Sequence, residues 1–93
     1  MAVTVNEQDG SYQISVDGIA VGRIDFRRAG DVLTLGHTEV EDAYEGQGVA
    51  GDAVRTVLDR ARAEHLRVVN ECPYVRVWVR RHPEYADLVH QAA

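Results

Sequence analysis

A chain of 93 residues with 45% hydrophobic and 27% charged side chains holds one domain, residues 1–93, and has no apolar run approaching the roughly 20 residues of a bilayer-crossing helix. Ten basic against 15 acidic residues give a net charge of −5. That balance repels a nucleic-acid backbone and suits a cationic partner such as a basic protein or peptide. The single cysteine, Cys72, excludes an internal disulfide and fits a reducing compartment, and Met1 to Glu7 show no basic start followed by an apolar stretch, so the expected location is cytoplasmic.

Residues 1–40 read as strands. Tyr12, Ile14 and Val16 alternate with Gln13 and Ser15, the period-two pattern of a half-buried strand. Asp9-Gly10 and Asp17-Gly18 are hairpin dipeptides, and a third turn fits Ala29-Gly30-Asp31. Ile19 to Arg27 and Val32 to Val40 lie between and beyond these turns, giving an antiparallel meander of about four strands.

From Val49 the apolar residues fall at 49, 50, 53, 54, 57, 58 and 61, a stripe of helical period that predicts a helix from about Gln47 to Glu64. Asp52, Arg55, Thr56, Asp59 and Arg60 form its polar face, read as solvated. Leu66 to Val69 suggest a fifth strand. Pro73 opens a helix to Arg81, and Pro83 a last short helix to about Val89. The expected fold is α+β: a twisted, mostly antiparallel sheet of about five strands, one main helix across it and two short C-terminal helices.

The sharpest feature is Tyr44-Glu45-Gly46-Gln47-Gly48-Val49-Ala50-Gly51, between a strand and the main helix. Small residues there let backbone N–H groups converge at a helix N-terminus, where the donors lack partners and the dipole favours an anion such as a pyrophosphate. The alternative is a glycine-rich turn that only joins strand to helix. Gly46, Gly48 and Gly51 also satisfy G-x-G-x-x-G, with Glu71 at the place of a ribose-binding acid. A dinucleotide domain needs several parallel strands and glycines directly after the first of them, and neither is present.

The loop resembles the pyrophosphate loop of the GNAT acetyltransferase superfamily, Arg/Gln-x-x-Gly-x-Gly/Ala, with Glu45, Gly48 and Ala50 at its first, fourth and sixth positions. Glu45 departs from the usual Arg or Gln. Across nearly the whole chain, His37-Thr38-Glu39-Val40, Glu45-Gly46-Gln47-Gly48-Val49-Ala50, Cys72-Pro73-Tyr74-Val75 and Arg80-Arg81-His82-Pro83-Glu84-Tyr85 are similar to the minimal, single-domain YjdJ type of GNAT-like protein. The resemblance implies that acetyl-CoA lies where the fourth and fifth strands splay. Its pyrophosphate would sit on Glu45, Gly46, Gln47, Gly48, Val49, Ala50 and Gly51, and its pantetheine arm along Thr38 and Val40.

Acetyl transfer needs a neutral amine beside the thioester, a route for its proton and stabilisation of the developing oxyanion. His37 and Glu39, expected on one side of a strand edging the cleft, read either as bases or as a histidine satisfied by a backbone carbonyl and an exposed glutamate. Cys72, before Pro73 at a helix start, reads as a nucleophile, as a neighbour of the thioester, or as a buried small hydrophobe. Tyr74 and Tyr85 read first as core aromatics, with protonation of the leaving thiolate as the other role. Trp78 reads as core. Arg80-Arg81-His82 reads as a ribose-phosphate contact or a solvated basic turn. His37, His65, His82, His90 and Cys72 show no paired spacing for a metal. The sequence therefore points to an N-acetyltransferase that uses acetyl-CoA, with no metal and an unidentified amine acceptor. A non-catalytic acyl-CoA-binding sensor or interaction module is the alternative.

Overall fold

The computed structural model describes residues 1–92. β1 (Val3–Gln8), β2 (Ser11–Val16), β3 (Ile19–Ala29) and β4 (Val32–Val40) form the antiparallel meander. Asp17 and Gly18 both take positive φ, 49° and 85°, as a two-residue turn matching the twist of its strands requires. α1 (Val49–Ala63) crosses to β5 (Arg67–Asn70), which lies parallel to β4. α2 (Pro73–Arg81) then leads towards β6 (Val89–Gln91), parallel to β5. The six strands follow one another in chain order across a single sheet.

The C-terminal segment departs from the expectation of a second short helix. Pro83 opens one 3-10 turn, Pro83–Tyr85, and Val89–Gln91 then joins the sheet as a sixth strand. So short a segment gains little from helical hydrogen bonds, whereas the free edge of β5 offers a ready ladder. Val89 enters the core, and the Ala92 N–H donates to the Asn70 carbonyl at 2.8 Å.

Ile14, Ile24, Leu33 and Leu35 from the sheet meet Val54, Val57 and Leu58 of α1, all fully buried. Val75 and Trp78 of α2 join the same cluster, so both helices cover one face of the sheet. The polar side of α1 is more than a solvated face. Arg60 donates to the Val5 carbonyl at 2.8 Å, and Asp59 accepts a 2.6 Å hydrogen bond from the Tyr85 hydroxyl. These contacts tie the helix to β1 and to the turn before β6.

Candidate active site

β4 outruns its parallel neighbour. Val32 to Leu35 pair with Arg67 to Asn70; the Glu71 N–H then donates to the Leu35 carbonyl at 2.9 Å, and the chain turns away into α2. From Gly36 to Val40, β4 keeps β3 on one side but, among the described residues, has no strand on the other. A cavity of about 390 Å³ opens beside this stretch. Thr38 and Val40 of β4, Tyr44 to Gly46 and Gly48 of the loop, Val49 and Ala50 of α1, and Tyr74 of α2 line it.

A bulge decides which β4 side chains reach that cavity. Phe26 pairs with Leu35 and Ile24 with Thr38, so Gly36 and His37 together oppose Asp25 alone. The extra residue reverses the in–out phase of the strand. Leu33 and Leu35 point to the core before the bulge, and Thr38, opposite the fully buried Ile24, takes over that side after it. His37 and Glu39 are exposed. Glu39 pairs with Arg23, which also bonds Asp25 at 3.0 Å. Neither His37 nor Glu39 lines the cavity.

The loop feeding α1 is shaped by glycines at φ 76° (Gly46) and 81° (Gly48), a region open to few side chains. Gly48 is the N-cap, and no side chain among the described residues caps the helix. The N–H groups of the first turn therefore lack helical acceptors at the cavity's edge. Gln47, outside the lining, steadies the loop by donating to the Ala43 carbonyl at 3.1 Å. Gly51 also lies outside the lining and packs against Trp78. Glu45 places a carboxylate in the cavity wall, so the features of the loop that suit an anion are its backbone donors and the helix dipole.

Cys72 stands at the N-cap of α2, buried, with its thiol donating to the Thr38 hydroxyl at 3.4 Å. Tyr85 is the core aromatic the sequence suggests. Tyr74 is 42% exposed and belongs to the cavity instead. Burial raises the Tyr74 phenol above its ordinary range, with the nearby Cys72 adding to the rise, so it remains a proton donor at neutral pH. Trp78 is core, and the His82 ring stacks on it at 3.9 Å with Nδ1 2.7 Å from the Trp78 carbonyl. Arg80 and Arg81 are exposed, whereas His82 is half-buried.

A second concavity of about 450 Å³ is lined by Gln13, Arg23, Glu39, Glu41 and Asp42 among others, and Val40 borders both hollows. Sequence reasoning read Tyr74 first as core and only second as a group near the leaving thiolate, and it did not find Asn70 as the buried anchor behind Cys72. The pattern around Tyr74 carried a usable signal: at helical spacing, Val75, Trp78 and Val79 define the buried stripe and leave Tyr74 off it.

A two-layer α+β domain in which a glycine loop starts a helix beside two parting parallel strands is a GNAT-like fold. Residues 11–88 match the family described as GCN5-related N-acetyl-transferase, and the chain belongs to that family. Protein NATD1 of Bos taurus is 38% identical over 52 residues, 56% of this chain and 46% of that protein. Protein NATD1 of Gallus gallus is 36% identical over 59 residues, 63% and 54% of the two chains. The chain thus spans about half the length of the curated relatives it matches. The solution structure of a GCN5-like protein from Staphylococcus aureus superposes with a TM-score of 0.73 at 21% identity, covering 97% of this chain and 90% of that one. A GNAT family acetyltransferase from Brucella melitensis, solved in complex with acetyl-CoA, gives 0.55 at 25% identity over 73% and 50% of the two chains.

Proposed function

We propose that this domain binds acetyl-CoA in the cleft between β4 and α2 and transfers the acetyl group to an amine. One observation carries the reading: the uncapped first turn of α1 and the unpaired edge of β4 border the same cavity. The first suits a pyrophosphate. The second offers backbone groups to the amides of a pantetheine arm, with Val40, Val49, Ala50 and Tyr74 as its apolar bed. The acetyl-CoA complex of the Brucella relative supports the same ligand class.

In the transfer, the nitrogen of a neutral amine attacks the thioester carbonyl carbon. A C–N bond forms, the C–S bond breaks, and CoA leaves as a thiolate that can take a proton from the Tyr74 hydroxyl. The amine's own proton passes through water to Glu39 or His37 on the exposed side of β4. Glu39, Glu41 and Asp42 give the second concavity an acidic wall, which suits a cationic acceptor such as a basic peptide.

The test is calorimetric titration with acetyl-CoA and CoA, followed by measurement of free CoA thiol released with a panel of amines and lysine peptides. Saturable binding with amine-dependent release supports transfer, and His37→Ala and Glu39→Gln then identify the base. Binding without release supports the non-catalytic acyl-CoA module, a reading favoured by the placement of both candidate bases outside the cavity. No binding removes both.

A further inference from the structure

Thr38 lines the cavity, and its hydroxyl accepts a hydrogen bond from the Cys72 thiol. A threonine hydroxyl has two acceptor lone pairs and a single proton. With the thiol proton on one lone pair, the Thr38 proton remains for another acceptor, and among the described residues its side chain has no other hydrogen-bond partner. The backbone of Cys72 is held by Asn70, a buried polar residue only 1% exposed. Its Oδ1 accepts from the Cys72 N–H at 3.0 Å, and its Nδ2 donates to the Cys72 carbonyl at 2.9 Å and to Oε1 of Gln91 at 2.7 Å. The same Cys72 carbonyl accepts the Arg76 N–H at 3.1 Å, the bond that starts α2. Both backbone groups of Cys72 are thereby fixed by one side chain that is itself tied to β6.

We propose that Thr38 donates its hydroxyl proton to the carbonyl oxygen of the bound acyl thioester, with Cys72 orienting that hydroxyl and Asn70 acting as the positioning residue that anchors Cys72. This rests on the assignment of the cleft to acetyl-CoA and specifies how the acyl group is held there. Cys72 then serves as a protonated donor, its S–H directed to Thr38, and no covalent acetyl-cysteine is required. A donor fixed before the ligand arrives costs little reorganisation and strengthens as charge develops on the oxygen.

The experiment is difference infrared spectroscopy of acetyl-CoA labelled with carbon-13 at the carbonyl, together with the affinity ratio of acetyl-CoA to CoA by calorimetry. The carbonyl stretch falls to lower frequency on binding the native protein. Thr38→Val removes that shift and weakens acetyl-CoA by about 3- to 10-fold relative to CoA, the effect of one lost hydrogen bond. Thr38→Ser restores both. Cys72→Ser, which keeps a donor, retains the shift, whereas Cys72→Ala and Asn70→Asp broaden and reduce it. Asn70→Asp is the variant at risk of misfolding, so its unfolding midpoint is measured alongside, and Cys72→Ala carries the test if it fails. A native carbonyl band unmoved on binding, or a Thr38→Val band equal to the native one, overturns the donor role. A Cys72→Ala band equal to the native one overturns the relay. Acetyl-CoA that binds without any carbonyl shift sinks this proposal alone, and failure of both CoA and acetyl-CoA to bind sinks the assignment of the cleft with it.

Discussion

Gly51 of α1 faces Trp78 of α2 so closely that a Cβ on the glycine would lie 3.1 Å from the indole Nε1. The indole has little room to retreat: His82 stacks on it at 3.9 Å, the Tyr85 ring lies 5.2 Å away, and the Arg55 guanidinium sits 5.4 Å from its ring. The same Cβ would come within 3.6 Å of the Tyr74 hydroxyl, so this glycine sets both the spacing of the helices and the placement of a cavity residue. Replacing Gly with Ala in a helix normally gains up to about 1 kcal/mol, while overpacking costs about 1–3 kcal/mol. Gly51→Ala is expected to lower stability by about 1 kcal/mol net, read as a lower urea midpoint at unchanged slope. A raised midpoint would show that Trp78 can yield.

Gly22 is subject to a stricter limit. A Cβ there would overlap the Glu39 carbonyl oxygen and press on Val40 at 3.0 Å, both backbone contacts that no side-chain rotation relieves. Gly22→Ala is expected to cost about 2–3 kcal/mol by forcing β3 from β4. Because the strain falls at Val40, which borders the cavity, CoA affinity measured by calorimetry should fall with stability. A variant as stable as the native protein would contradict the close approach.

At Gly48, charge and backbone strain can be separated. With φ at 81°, any side chain is strained, so Gly48→Ala is expected to lose about 1 kcal/mol of stability. Gly48→Glu adds a carboxylate facing the proposed pyrophosphate and should lower CoA affinity at least about tenfold beyond the alanine variant, the effect of about 1.4 kcal/mol of repulsion. Equal affinities in the two variants would mean that the phosphates lie elsewhere.

Three of the four tyrosines, Tyr12, Tyr74 and Tyr85, have phenols raised above 10.0, in each case chiefly by burial. For Tyr85 the Asp59 carboxylate, which accepts its proton at 2.6 Å, adds to the shift. Above the ordinary phenol value the unfolded chain has released protons that the native state still holds, so stability declines as pH rises. The contribution is fully present below pH 10. The urea midpoint should fall progressively in the alkaline range, and phenolate absorbance of the folded protein should lag behind that of the unfolded chain. Coincident titrations would refute the assignment.

The meander, its turns and the main helix were legible in the sequence because their causes are local. Asp17-Gly18 can adopt the two positive φ values a tight hairpin needs, and Val49 to Ala61 carry a buried stripe whatever lies opposite. The glycine loop was legible for the same reason, since its backbone freedom is a property of Gly46 and Gly48 themselves. β6 was not. Val89 to Gln91 become a strand only because β5 leaves an edge free, which local propensity does not encode. The phase of β4 was equally hidden. A strict alternation from Leu33 and Leu35 turns His37 and Glu39 inward, and the bulge opposite Asp25 sends Thr38 there instead. The bonds from Asn70 to Cys72 were within two residues in sequence, yet Gln91 and Thr38, which complete the chain of contacts, are 21 and 34 residues from their partners. Composition and periodicity determined which segments are strands and helices and where an anion could be received; long-range pairing decided which side chains face the cavity, because a strand's phase is set by its neighbours and not by its own residues.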